Sequence, residues 1–201
     1  MTGDTIALQE ALGLREGMLF GGRREKGKGK GYGQCQSTHL DLSISSYDCL
    51  MRVLSIERGG GRQRIVTYLS DDEMAQLGGL PPQAVVGVLA DDDSLQVNAV
   101  FREFLHEVVG RVAPLDPDLQ QAAAASGEGR VVYIDSRVPE DVDPVPDEDI
   151  IGWFRVRGGR IVEGSYLANP HHRIQGVYGF TAVLGGVRQA LLAELVVRNG
   201  G

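Results

Sequence analysis

Thiol and imidazole side chains are the groups of this chain best suited to catalysis. Cys35 follows a run of cations and precedes His39 by four residues, so a thiol and an imidazole base lie in one short stretch. A thiol nucleophile needs such a base and a positive environment that lowers the thiol pKa. Cys35 and His39 are therefore candidate catalytic residues, although their spacing matches no cysteine-hydrolase motif. The alternative is that Cys35 and Cys49 are small buried hydrophobic residues.

A second candidate group lies in residues 169–173, NPHHR. His171 and His172 are adjacent, so on extended backbone their side chains point in opposite directions and at most one joins a given site. A site there would have to recruit a residue from elsewhere, such as Asp135. The spacing is neither HxH nor HExxH, so no metal site is predicted. The alternative is a structural turn, because an Asn-Pro pair favours a loop.

Every lysine of the chain lies in one glycine-rich loop, residues 21–33, with the sequence GGRREKGKGKGYG. Backbone N–H groups and cations in such a loop could hold a phosphate or the backbone of a nucleic acid. The candidate binding residues are Arg23, Arg24, Lys26, Lys28 and Lys30. The order of residues is not that of a phosphate-binding P-loop, and the alternative is a flexible surface loop without a ligand.

Composition restricts the classes of function. Of the 201 residues, 42% are hydrophobic and 23% are charged, as expected of a soluble globular protein with a sizeable core. The net charge of -7 and the pI near 5.1 argue against a protein that binds nucleic acid mainly by charge. A nucleic-acid partner is therefore the less favoured alternative to a protein partner.

Cysteine usage and hydropathy indicate the compartment. Two cysteines and an N-terminus without a signal-peptide pattern favour the cytoplasm. Residues 174–187 are uncharged but fall short of the roughly 20 apolar residues that span a membrane, so no membrane partner is expected. No cofactor is expected either, because the chain contains no cofactor-binding motif.

The local structure of residues 150–167 can be predicted in most detail. Two apolar runs flank Gly158-Gly159, a pair suited to the positive φ values of a two-residue hairpin turn. The resulting register places Val156 opposite Ile161 and Trp153 opposite Gly164. Large apolar groups occur on both faces of this hairpin, which predicts an inner part of a sheet that is covered on both sides.

The remaining pattern predicts an α+β fold with a largely antiparallel, hairpin-rich sheet in a single domain, residues 1–201. Two main amphipathic helices are predicted at about 94–110 and 181–198, the first capped at Ser94. A capping box at Ser70 and Glu73 predicts a short helix, and the acidic, proline-containing residues 140–149 predict an exposed linker.

Three functions remain open at this point. The leading expectation is a cytoplasmic binding or assembly protein without catalytic machinery, because no catalytic motif is recognisable. The alternative is a small hydrolase or transferase that uses Cys35 or the His171/His172 region. The third is a phosphate or nucleic-acid binder that acts through the lysine loop. A pocket lined by Cys35, His39 and Asp135 would favour catalysis, whereas a flat apolar patch would favour binding.

Overall fold

The structure is a computed structural model that describes residues 51–58, 61–183 and 185–199. Several candidates from the sequence lie outside these residues. They are Cys35, His39, Cys49 and the glycine-rich loop at 21–33 with Arg23, Arg24, Lys26, Lys28 and Lys30. The candidate residues that can be placed are Asp135, His171 and His172.

Two antiparallel sheets form the framework of the described chain. The first contains, in chain order, β1 (Arg52–Arg58), β2 (Gly61–Thr67), β3 (Val85–Leu89) and β4 (Leu95–Val97). The second contains β5 (Gly129–Ile134), β6 (Ile150–Arg157) and β7 (Arg160–Ile161), and β8 (Leu167–Ala168) also pairs with β6. A separate small hairpin consists of β9 (Gln175–Gly176) and β10 (Gly179–Phe180).

Four helices accompany the sheets in the described residues. They are α1 (Asp71–Gln76), α2 (Ala99–Val112), α3 (Pro117–Ser126) and α4 (Gly185–Asn199). Short 3-10 turns lie at Pro82–Ala84, Ala113–Leu115 and Asp147–Asp149. The predicted α+β class is confirmed. Within the part of the chain that is described, no helix has the length and apolar character needed to cross a membrane.

One cluster of buried apolar side chains joins both sheets to the helices. Helix α2 contributes five residues with the spacing of one helical face, Phe101, Phe104, Leu105, Val108 and Val109. Helix α4 adds Val187, Leu191 and Leu195, and the sheets add Val66, Val86, Val131, Phe154 and Val156. We call the face of each sheet that packs on this cluster its inner face, and the opposite face its outer face.

Helix α2 begins later than the sequence predicts. The residues before it form β4 and pair with β3, so the cap is Asn98 and not Ser94. The Asn98 side chain accepts a hydrogen bond from the Val100 N–H at 3.1 Å and donates to the carbonyls of Pro82 and Val85 at 2.9 and 2.8 Å. An amide that makes three bonds is buried at little cost.

Helix α4 also begins later than predicted, at Gly185 and not at 181. Thr181 instead extends the preceding segment, because its N–H donates to the Ile174 carbonyl at 2.8 Å. Its side chain is 1% exposed and lies beside His172. Thr181 therefore lies beside a buried histidine and not in the helix.

The predicted turn between β6 and β7 is confirmed, because Gly158 and Gly159 have φ values of 56° and 70° and Val156 pairs with Ile161. The predicted position of Trp153 is wrong, since Trp153 pairs with Leu167 and not with Gly164. The chain leaves the sheet after residue 162 and returns three residues out of the expected register.

The hydroxyl of Ser165 stabilises the segment between β7 and β8, which leaves the sheet and which we call the excursion. Its Oγ accepts a hydrogen bond from the Arg155 N–H at 3.0 Å and donates to the Val162 carbonyl at 2.5 Å. A side chain therefore satisfies a strand N–H that a neighbouring carbonyl would otherwise satisfy. Gly164, with φ of 67°, supplies the positive φ that the excursion needs.

Only one face of β6 is covered by the described residues, contrary to the expectation for this hairpin. Phe154 and Val156 are buried on the inner face, whereas Trp153 and Arg155 point to the opposite, outer face. Ile151 is buried as well, because it is the extra residue where the pairing of β5 and β6 shifts.

Candidate functional site

The structure brings together two of the residues singled out in the sequence, Asp135 and His172. His172 Nε2 lies 3.2 Å from Asp135 Oδ2, and the two residues are 4% and 0% exposed. This distance is that of a hydrogen bond between the imidazole ring and the carboxyl group. His171 lies outside the pair and is exposed, and its backbone N–H donates to Asn169 Oδ1 at 3.0 Å.

Arg137 links this pair to a second buried acid, Asp149. Its Nε and Nη2 donate to Asp149 Oδ1 at 3.0 and 2.6 Å, and Nε lies 3.5 Å from Asp135 Oδ2. The same guanidinium donates to the carbonyls of Ile174, Gly179 and Arg173. Asp149 is fully buried, so it differs from the exposed linker that the sequence predicts for its neighbours.

The buried cluster of Asp135, Arg137, Asp149 and His172 has the geometry of a structural junction. Its side chains are at most 2% exposed, and the arginine bonds to backbone groups on both sides of β9. Paired and hydrogen-bonded charges of this kind are strongly interdependent, because removal of one leaves the others buried without compensation. The cluster thus fixes the segment that follows β8 to the end of β5.

His106 and Tyr166 form a second polar contact near this cluster. The Tyr166 hydroxyl lies 2.7 Å from His106 Nδ1, and the ring centroids of His106 and His172 are 6.2 Å apart. Burial lowers the pKa of His106 to about 4, and electrostatic interactions with His172 and Arg102 act in the same direction. Burial also raises the pKa of Tyr166, so both groups are neutral near pH 7.

These two side chains lie at the inner end of a groove of about 1000 Å³ between α2, α3 and the chain from Gly159 to Tyr166. Glu107 and Arg111 on its wall are already paired, with Arg198 at 2.6 Å and Glu194 at 2.7 Å. No Ser, Thr or Cys is among the described residues that line it. The groove therefore offers an imidazole and a phenol without a conventional nucleophile.

The outer face of the second sheet carries an apolar row. Val132 pairs with Trp153, and Trp153 pairs with Leu167, so the three side chains lie side by side across β5, β6 and β8. Val132 is 37% and Leu167 53% exposed, and Ile134 on the same face is 40% exposed. Strand residues of this type, on a face that no element of the described chain covers, are unusual in a monomer and mark contact surfaces.

Four arginines lie on the same face, toward the Gly158-Gly159 turn. Arg130 is directly opposite Arg155, and Arg157 is directly opposite Arg160. All four are exposed, and no carboxylate of the described residues lies within ion-pair distance of any of them. Like charges directly opposite each other destabilise a sheet.

We call this surface the arginine–tryptophan face, defined by Arg130, Val132, Ile134, Trp153, Arg155, Arg157, Arg160 and Leu167. Beside the tryptophan it contains a cleft of about 170 Å³, lined by Arg130 and Arg155 with Ser165 and neighbouring residues. The cleft occupies the gap that the chain leaves when it departs from the sheet. Two guanidinium groups next to an indole ring make it suited to an anionic group.

The sequence contains part of the signal for this face. Alternation in RVVYI and in WFRVR places Arg130 with Val132, and Trp153 with Arg155, on one side of each strand. It does not show that the two strands pair, or in which register. The roles of Arg137 and Asp149 had no local signal, because their partners lie on other elements.

Comparisons with protein-family models, with curated proteins and with solved structures give no match to this chain.

Proposed function

We propose that this protein is a non-catalytic binding protein that holds a protein partner on the arginine–tryptophan face. The observation that supports this proposal is the apolar row of Val132, Trp153 and Leu167 on an outer sheet face. Among the described residues, this face has no covering element and its four arginines have no carboxylate partner. A cytoplasmic location is part of the proposal and rests on the low cysteine content.

The residue types of this face support a protein partner. Tryptophan and arginine are enriched among the residues that contribute most to protein–protein binding, and a central apolar patch with a charged rim is the usual anatomy of such an interface. Here Trp153 lies in the centre of the row, with Val132 and Leu167 on either side. The arginines lie at one end of that row, where a rim would be.

The described residues give less support to the catalytic alternative. Asp135 and His172 form a hydrogen-bonded pair, but their side chains are 0% and 1% exposed, and neither lines the groove at His106 or the cleft at Trp153. A general base must come within hydrogen-bond reach of a substrate proton. Their burial therefore favours a structural role for the pair.

The experiment that tests this proposal is selection of short random peptides on the immobilised full-length protein. The face variant Val132→Ser/Leu167→Ser removes the apolar row and keeps all four arginines. The matched control is Val197→Ser, which changes a 76% exposed valine on α4. We expect enriched peptides to bind the wild type and the control, and to lose binding to the face variant.

Two outcomes would overturn the proposal. One is that no peptide is enriched on the wild-type protein over an inert protein of similar charge. The other is that the enriched peptides bind the face variant as well as they bind the wild type. Circular dichroism of each variant verifies that the sheet is intact, since these positions are on the surface and their substitution should cost little stability.

A further inference from the structure

We propose that the partner presents carboxylate side chains next to apolar ones, and that one carboxylate is held between Arg130 and Arg155 in the cleft beside Trp153. This inference rests on the proposed function and specifies the chemistry of the partner. Its first support is the pairing of Arg130 with Arg155 and of Arg157 with Arg160, which concentrates four positive charges on an otherwise acidic protein.

The carboxylates nearest to these arginines along the chain do not neutralise them. Glu128 Oε1 instead accepts a hydrogen bond from the Gly158 N–H at 2.9 Å. Glu163 is exposed and makes no ion pair with any described residue. The like charges on the face are thus left without compensation in the described part of the chain, and an external anion would relieve their repulsion.

The cleft gives this anion a defined position. Its volume of about 170 Å³ matches a small group such as a carboxylate better than a nucleotide. The Ser165 hydroxyl in its wall already accepts from the Arg155 N–H and donates to the Val162 carbonyl. The guanidinium groups of Arg130 and Arg155 have no acceptor within the described ranges, and each can hold a carboxylate through two parallel hydrogen bonds.

The rest of the face favours a protein over a single-stranded nucleic acid. Its other large side chains are aliphatic, namely Val132, Ile134 and Leu167, and the half-buried Trp153 is its one aromatic side chain among the described residues. Platforms for single-stranded nucleic acid stack successive bases on several aromatic rings. Aliphatic side chains of a partner segment, alternating with acids, fit this surface better.

A second copy of this face is also a poor occupant. A two-fold contact would place the same surface on both sides, so the arginines of one copy would meet those of the other. Like charges brought together across an interface oppose association. The complementary surface must therefore carry the opposite charge.

The test uses the full-length protein and two synthetic peptides without tryptophan. One alternates glutamate with leucine, and the other has glutamine at every glutamate position. Trp153 is the only tryptophan in the chain, so its fluorescence reports directly on the cleft. We expect the glutamate peptide to change the emission, to bind at least about tenfold more tightly than the glutamine peptide, and to lose affinity at about 1 M salt, where the screening length is about 3 Å.

Three arginine variants localise the effect. Arg130→Gln and Arg155→Gln should each weaken binding of the glutamate peptide by about tenfold, as expected for the loss of a hydrogen bond between charged groups. The control is Arg102→Gln, which removes an exposed arginine from α2, away from the face. It should leave the affinity unchanged. Using two separate face variants guards against a folding defect in one of them.

Several outcomes would overturn the inference without deciding the proposed function. Equal binding of the two peptides, or no fluorescence response to either, would exclude a carboxylate at this cleft. Binding of an oligothymidylate that depends on Arg155, without binding of the glutamate peptide, would identify the partner as a nucleic acid. If peptides selected at random still require Val132 and Leu167, the face binds proteins by another chemistry.

Discussion

The hydroxyl oxygen of Tyr166 lies 2.7 Å from Nδ1 of His106, and this contact holds the excursion between β7 and β8 against helix α2. The ring is enclosed by two glycines on separate elements. A Cβ added at Gly110 would come within 2.9 Å of the ring, and one added at Gly152 within 2.6 Å. The Tyr166 ring thus occupies space that is available only because residues 110 and 152 are glycines.

Gly110→Ala should destabilise the protein although it replaces a glycine inside a helix. Alanine normally stabilises a helix interior by about 0.5 to 1 kcal/mol relative to glycine, but overpacking against Tyr166 should cost about 1 to 3 kcal/mol. In a Tyr166→Ala background the clash disappears, so the same substitution should become stabilising. Urea denaturation of the four proteins in this cycle measures the effect, and a stabilising Gly110→Ala in the wild type would contradict the packing described.

The stability of the protein should depend on the protonation of His106. Its pKa is lowered from 6.5 to about 4, so the unfolded chain binds the proton more readily than the folded chain. The resulting stabilisation is complete above about pH 6.5 and is lost as the pH falls toward 4. We expect a loss on the order of 2 kcal/mol, reduced from the full shift because the ring is partly exposed.

His106→Gln isolates this contribution. Glutamine does not titrate, so the difference in the free energy of unfolding between wild type and variant should shrink as the pH falls through this window. Groups elsewhere titrate in both proteins and largely cancel in the difference. A difference that stays constant between pH 7 and pH 4 would show that the environment of His106 does not lower its pKa.

Removal of Arg137 should have a much larger effect than removal of an exposed arginine. Arg137→Met leaves Asp135 and Asp149 buried without their cation and should cost about 3 to 5 kcal/mol. Arg173→Met is the control, because its pair with Glu148 at 3.3 Å is exposed and should contribute about 0 to 1 kcal/mol. Chemical denaturation of both variants provides the comparison. Equal losses would mean that the buried cluster is not the junction that its geometry indicates.

Arg155→Thr should stabilise the isolated protein. Threonine is favoured in strands, and the change removes the charge opposite Arg130, a gain of about 0.2 to 1 kcal/mol. The matched control is Arg62→Thr, because Arg62 on β2 lies opposite Glu57 and its removal breaks a favourable pair. Thermal unfolding should move the two variants in opposite directions. A destabilised Arg155→Thr protein would remove the energetic argument for an anionic partner.

Features that depend on a few neighbouring residues could be predicted from the sequence. The Gly158-Gly159 turn and the capping box at Ser70 and Glu73 are of this kind, and both are present. The prediction that Ser94 caps the helix is wrong, because the choice between helix and strand for Leu95–Val97 depends on pairing with β3. The sequence of neither segment indicates that the two strands pair.

In the candidate site, too, contacts between residues far apart in the sequence could not be predicted. Asp135 and His172 could be singled out as chemical groups, but their contact spans 37 residues of sequence and depends on the path of the chain after β8. Asp149 belongs to an acidic run that indicates exposure, and its burial depends on the cation of Arg137. The position of Trp153 required knowledge of the excursion closed by Ser165, which hydropathy does not reveal.

Helix α4 has a consequence for the order of events during synthesis. It supplies Val187, Leu191 and Leu195 to the core and makes ion pairs with Glu73, Glu107 and Arg111, all of which precede it by many residues. At about 5 to 20 residues per second, the ribosome needs several seconds to reach these residues after completing β6. During that interval the apolar side of α2 has no cover from α4, and a premature stop before Val187 would remove all three core residues that α4 supplies.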